Sequence, residues 1–508
     1  MASASSRASS DTFSVASLEP NSLIPGKSTD GELALAALFT PLVGMDAKGH
    51  LRYLQAKSVV SSDHAKTWTI TIRKGWTFHN GEPVTAQSYV DAWNYNAYGP
   101  HAFATSGQLS NIVGYAALNP KSGKPSTTRM SGLKVLGRYV FRVRLSAPDS
   151  QFPYELTANQ WGFYPLPKSA YADLKAYNEK PIGDGPYQMN GSWQHDQSIG
   201  MTAYPRYAGP DKPKTKNLVF KIFSSVDTAY TDVQAGNTDM ASVPGDKLSQ
   251  FEKDFPGRFF SRGGQNIEYL GFPLFAKPWQ NKKLREAISL AIDRRAIDKA
   301  LFGGAYQPAD SFLPATTPGG DPHSCRYCRF DPVAAKRLLR EAGGFEGTMV
   351  VNYLGGWGID QEYQAIANQL RQNLGIKVTA QPSVTISAYY TNIAKKAYRS
   401  GPIYDSASAP YPSARALITQ NLLPPSSFQS GTYYANAAAQ RLVSAGDRAS
   451  TPAAAIRAYQ KAEALIQADF PTIPLFFLPS PMVYSSRISN VKADALTNPI
   501  YTAVTVKG

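Results

Sequence analysis

Residues Thr67–Tyr95 read TWTITIRKGWTFHNGEPVTAQSYVDAWNY. Trp68, Ile70 and Ile72 alternate with Thr and Arg, the period of a strand with one buried face. Gly75 and the pair Asn80-Gly81 provide tight turns. Thr85 is placed to cap a helix running to Tyr95. Trp76 and Phe78, between the turns, are expected in the core. The run is therefore strand, double turn and capped helix.

Outward from it, Val59–Arg73 contains the strand, and Val135–Leu145 reads as a pair of strands about Gly137-Arg138. Thr12–Ser17 alternates as a strand, Gly31–Leu42 has helical spacing ending at Pro41, Leu218–Phe223 is a strand and Thr228–Ala235 a helix closed by Gly236. Lys282–Ala300 reads as one amphipathic helix, with Leu284, Ile288, Ala291 and Ile292 on one face. Helices are also predicted over Asp331–Ala342, Gln361–Leu374 and Ala453–Ala468, and strands over Met349–Tyr353 and Ile473–Leu478. Such alternation marks α/β lobes, and no internal repeat interrupts it.

At 508 residues the chain exceeds one core, since single cores stop growing near roughly 250–300 residues. Hydrophobic residues make up 43 %, ordinary for a globular chain, and the 29 Tyr and 23 Phe are enough to line a large pocket as well as a core. No run approaches the roughly 18 apolar residues of a membrane span. The net charge of +15 is spread over short clusters such as Lys212–Lys216, Lys282–Arg285 and Lys395–Lys396. Nucleic-acid binding needs basic residues concentrated on a recognisable motif, and none accompanies them, so a solvated basic surface is preferred, with attraction to an anionic membrane surface or an acidic ligand as the alternatives. Residues 1–10 are Ser-rich and read as a disordered linker, left where an export signal has been removed.

Six histidines, His50, His64, His79, His101, His195 and His323, form no HExxH or H-x-H pattern. GxSxG, Walker A and dinucleotide-binding signatures are absent too. No catalytic motif, metal site or cofactor is expected. The only cysteines are Cys325 and Cys328, in the run His-Ser-Cys-Arg-Tyr-Cys. Zinc would need about four ligands. A small structural disulfide in an oxidising compartment is preferred, with two free thiols as the alternative.

The Thr67–Tyr95 run resembles the signature of the family 5 extracellular solute-binding proteins, the peptide- and nickel-binding group of ABC importers. Further segments resemble that family in the same order: PIGDGPY (Pro181–Tyr187), QAGNTDM (Gln234–Met240), LREAISLAIDRRAI (Leu284–Ile297), CRYCRFDPVAAKRLLREAGG (Cys325–Gly344) and FPTIPLFFLPSPMVYSSRISNV (Phe470–Val491). The Cys pair looks typical of actinobacterial members. The resemblance spans residues 12–505. It implies an α/β, two-lobed periplasmic-binding-protein-like fold of type II, with the extra subdomain of the large peptide-binding group. Carried over, residues 11–45, 168–262 and 481–508 form the N-terminal lobe, 46–167 the extra subdomain and 263–480 the second lobe. Hinge crossings fall near Ser261–Gln265 and Leu478–Met482. It further implies a monomer with a peptide-like or other small-molecule ligand and an ABC permease partner, lipid-tethered on the extracellular face of the cell membrane.

Relatives in this family carry a Gly-Trp-x-Ala-Asp-Tyr-Pro segment whose Asp pairs with a peptide's amino group. The matching run here is Ser406–Pro412, with Ala407 at the Trp position and Pro410 at the Asp position. Amino-end anchoring is thus altered, and Asp405, Asp30 or Asp360 are the candidate substitutes. The remaining candidate pocket residues are Lys27 and Thr29 on the loop after the first strand, Phe103, Trp357 among glycines, Tyr389, Tyr404, Tyr411 and Phe477. Two other functions are compatible with the sequence: a binding scaffold recruited to catalysis, and a sensor of a signalling peptide.

Overall fold

The computed structural model describes residues 11–157, 161–261, 266–355 and 358–507. The linker over 1–10, Trp357 and most of the first expected hinge lie outside them. The strand Thr67–Ile72 runs antiparallel between Ala56–Ser61 and Val140–Arg144, and Leu133–Gly137 completes a four-stranded sheet. Val59–Arg73 therefore holds two strands where one was predicted. Trp68, Ile70 and Ile72 are buried, as their alternation requires. The helix Ala86–Ala97 packs on this sheet. Thr85 accepts from Ser88 N in a reciprocal capping box, Tyr89 stacks on Phe141 at 5.7 Å, and Trp93 meets Phe141 edge-on at 5.4 Å.

The double turn docks on the Pro181–Tyr187 segment. His79 N donates to Gly183 O at 2.8 Å, Gly183 N donates to His79 Nδ1 at 3.1 Å, and His79 Nε2 faces Gly185 O at 3.2 Å. Nδ1 accepts, so the ring is the neutral Nε2–H tautomer. Burial lowers its pKa to about 4. A Cβ on Gly183 would stand 1.9 Å from Leu38 O, which is why this crossing of backbones needs glycine. Beside it the buried Asp184 accepts from Thr40 N at 2.9 Å and from Gln55 Nε2 at 2.7 Å, and Tyr89 donates to Gln55 at 2.7 Å.

Two larger sheets carry the rest. One has seven strands in the order Phe259–Phe260, Met482–Tyr484, Met240–Ser242, Thr12–Ser17, Asn217–Ile222, Ser198–Ala203, Tyr187–Met189. The other has six, in the order Gln307–Pro308, Thr472–Leu478, Asn266–Gly271, Ile403–Ser408, Thr348–Tyr353, Lys377–Pro382. Their apolar side chains form separate cores. The chain leaves the first sheet after Phe260 to enter the second at Asn266, and returns between Leu478 and Met482.

The predicted helix Lys282–Ala300 is broken. Helix Lys282–Leu290 stops at Ala291, Asp293 caps a short helix Arg294–Ile297, and a wider turn covers Asp298–Phe302. The buried Arg294 guanidinium explains the break. It donates to Pro474 O at 2.8 Å and to Ser289 O and Ile292 O at 3.3 Å, taking up carbonyls that a continuous helix would use. The Gly31–Leu42 helix is shorter than its spacing predicts, Glu32–Leu38. Cys325 and Cys328 are joined in a disulfide. Phe78 is fully buried, whereas Phe428 is 42 % exposed. Phe78→Ala is expected to lower stability by about 3–5 kcal/mol and Phe428→Ala by under about 1 kcal/mol, read from guanidinium unfolding midpoints.

Candidate functional site

Between the two large sheets lies a cleft of about 540 Å³. Four groups of residues wall it. The first is the loop carrying Ser28, Thr29 and Glu32, which is held by its own polar groups: Asn21 Oδ1 accepts from Thr29 N at 3.0 Å, Asp30 Oδ1 accepts from Asn21 N at 2.8 Å, and Ser28 Oγ accepts from Gly31 N at 2.9 Å. The second is Ala104 and Thr105, tied to that loop because Thr105 N and Oγ1 both donate to Gly26 O, at 2.9 and 3.1 Å, together with Trp161, which stacks on Tyr164 at 4.9 Å. The third is the end of the six-stranded sheet, where Asn266 pairs across to Ser408, with Ala409 beyond it and Ser480 on the returning crossing. The fourth is Ala495–Asn498, folded round Asp494, whose Oδ1 accepts from Leu496 N at 2.8 Å and Asn498 N at 3.0 Å.

This wall is made of hydroxyls, amides, small and aliphatic side chains, one indole and the Glu32 carboxyl. Of the residues named from sequence, Thr29 stands on it. Lys27 and Asp30 belong to the same loop but are exposed beside the wall, and Asp30 is spent on the Asn21 contact. The other placements are corrections. Phe103 is buried against Tyr95 and Gly26, and its neighbours Ala104 and Thr105 take the wall instead. Tyr389 is buried with its hydroxyl donated to Tyr404 O at 2.5 Å, and Tyr404 packs against Tyr363 at 5.9 Å, on the helix-covered face of the sheet. Phe477 and Ala407 sit in the core between strands. Asp405 stands off this wall: its carboxyl lies beside Asn421 and Ser430, and desolvation holds its pKa well above the usual carboxylate range. Asp360 accepts from Tyr353 at 2.9 Å near a helix start. The Ser406–Pro412 run reaches the cleft through Ser408 and Ala409, one or two residues from the positions expected.

Pro410 and Tyr411 face a different cavity, of about 460 Å³, that contains Arg415. The Arg415 guanidinium meets Asp149 at 3.0 Å, Asp447 at 3.0 Å and Glu155 at 3.4 Å. Ser413 Oγ donates to Gln151 Oε1 at 2.9 Å and Ser150 N donates to Asp447 O at 2.9 Å. Desolvation, with Asp149 beside it, pushes the Glu155 carboxyl up, and burial raises Asp447 to about 6. This node joins residues 149–155 to residues 411–447 alongside the cleft. Arg415→Met leaves buried carboxylates unpaired, with an expected cost of about 3–5 kcal/mol by chemical denaturation.

Behind the cleft, Glu268 and Glu362 form a buried carboxyl pair, and Tyr363 donates to Glu268 at 2.6 Å. Burial raises Glu268 to about 7, and burial with the neighbouring Glu268 pushes Glu362 higher; burial likewise raises Asp184 to about 7. A carboxyl whose folded pKa exceeds its unfolded one contributes stability below the unfolded value and loses it as pH rises through the folded value. His79 acts oppositely, losing its contribution as pH falls below about 6.5 towards 4. The melting temperature is therefore expected to fall between about pH 5.5 and pH 8.5, with a shallower slope in Glu362→Gln.

A hydrogen-bonding cleft between two α/β lobes, crossed twice by the chain, defines a two-lobed solute-binding protein. The chain belongs to family 5 of the bacterial extracellular solute-binding proteins: residues 51–421 match the family described as Bacterial extracellular solute-binding proteins, family 5 Middle. It is 27 % identical to the oligopeptide-binding protein OppA of Bacillus subtilis over 380 residues, 71 % of this chain and 68 % of that one. Its fold superposes on the unliganded open form of MppA, a periplasmic murein tripeptide binding protein, with a TM-score of 0.85 at 21 % identity, covering 98 % of each chain. For Haemophilus influenzae OppA in complex with RPPGFSPFR the TM-score is 0.72 at 21 % identity, covering 98 % of this chain and 99 % of that one. It is an extracytoplasmic binding component of an ABC importer, from a family of binding proteins rather than enzymes. No helix among the described residues is long and apolar enough to cross a membrane.

Proposed function

We propose that the protein captures a peptide-like solute in this cleft by closure of its lobes and presents it to the permease of an ABC importer. The observation that carries this reading is the wall itself: one cavity is lined by Thr29, by Thr105 and Trp161, by Asn266 and Ser408, and by Asn498, so a solute touching them all favours the lobes together. In this reading 11–45, 168–262 and 481–508 are the N-terminal lobe, 46–167 is the extra subdomain, 263–480 is the second lobe, and closure bends the crossings near residues 261–265 and 478–482. The protein acts as a monomer tethered by a lipid anchor. The relatives named as oligopeptide and murein tripeptide binders support a peptide-like class.

The wall offers Thr29, Asn266, Ser408 and Ser480 as neutral hydrogen-bonding groups. They suit a ligand with many amides or hydroxyls, because such groups, once sealed from water, need partners. Protein isolated from its host and analysed by native mass spectrometry is expected to carry a retained solute. Ser408→Trp, which fills the cleft from an exposed strand end, is expected to lose it while melting normally. Equal retention by Ser408→Trp contradicts this site.

A further inference from the structure

The cleft wall contains one ionisable side chain, Glu32, and no Lys, Arg or His among its described residues. That absence stands against a chain with 52 Lys and Arg and a net charge of +15. Glu32 makes no ion pair among the described residues. Partial burial raises its pKa, and Asp30, two residues away, adds to the rise. The loop's own cation, Lys27, is exposed and likewise makes no ion pair among the described residues. When the lobes close, this carboxylate loses water, and a desolvated carboxylate without a counter-charge is costly. The neutral groups facing it can satisfy hydrogen bonds but cannot supply charge. Trp161 adds an aromatic face on the same wall, which also favours a cation. A carboxylate or phosphate on the solute would meet no cation among the described residues of the wall and would add like charge near Glu32.

We propose that Glu32 selects the solute's charge: the cleft takes an amine-bearing solute whose ammonium group pairs with the Glu32 carboxylate, and rejects solutes whose net charge is negative. This rests on the reading of the cleft as the solute site and adds the group that sets its selectivity.

The test uses the full chain and three probes of one size: tri-alanine amide, which is cationic; N-acetyl-tri-alanine amide, which is neutral; and N-acetyl-tri-alanine, which is anionic. Isothermal titration calorimetry is expected to rank cation above neutral by about tenfold or more, with the anion weakest. Glu32→Gln is expected to bring cation and neutral probes to within about twofold, while Glu32→Asp keeps the preference. Glu32 is exposed at the start of a short helix, so both variants should melt as the parent does. Equal binding of the three probes by the parent, or an unchanged preference in Glu32→Gln, overturns the charge selection and leaves the cleft assignment standing. Failure of all three to bind the parent overturns the peptide-like reading, and the selection with it.

Discussion

One guanidinium ties the two halves of this molecule together along one edge. Arg415, from the half built on the six-stranded sheet, is shared by Asp149 and Glu155 on one side and Asp447 on its own. Its neighbours Ser413 and Ser150 add direct hydrogen bonds across the same seam. Buried charges of this kind persist only when each is paired, so the seam tolerates little independent movement of its members. The chain also crosses twice between the two large sheets. The cleft is the space left open beside a pinned edge, which makes it a hinge-like opening rather than a hole in a rigid body.

The internal packing explains why that opening is polar. Each sheet buries its apolar residues in its own core, and the aromatic side chains serve those cores: Trp93 on Phe141, Tyr363 on Tyr353, Tyr389 against Tyr404. What reaches the cleft is strand ends and loops, where small polar residues stand. The acidic residues Glu268 and Glu362 are buried in the core of the six-stranded sheet, and burial raises the pKa of both. Among the described residues of the wall, Glu32 is the one carboxylate, set among neutral groups.

Much of the scaffold was legible in the sequence. The strand at Trp68–Ile72, the Thr85 cap and the glycines of Pro181–Tyr187 each announce a local geometry, and their docking through His79 follows once both are in place. The break after Leu290 was not legible, because the apolar period continues through it and the cause, Arg294 reaching Pro474, is a contact 180 residues away. The site was hardest to read. Aromatic residues attract attention as pocket candidates, yet Phe103, Tyr389 and Phe477 are core. The wall residues Thr105, Asn266, Ser480 and Asn498 are ordinary polar residues without periodicity, brought together by topology alone. Glu32 carried one signal, an acid opening the helix after the Thr29 loop, which helix-start preferences explain equally well.

The account turns on where the solute sits. The most direct measurement is a crystal structure of the protein holding the compound it captures from its host's growth medium. The account predicts density between the lobes in contact with Thr29, Ser408 and Asn498, with the lobes closer together. Density confined to the outer groove beside Cys325 and Arg326, with the cleft filled only by water, would contradict it.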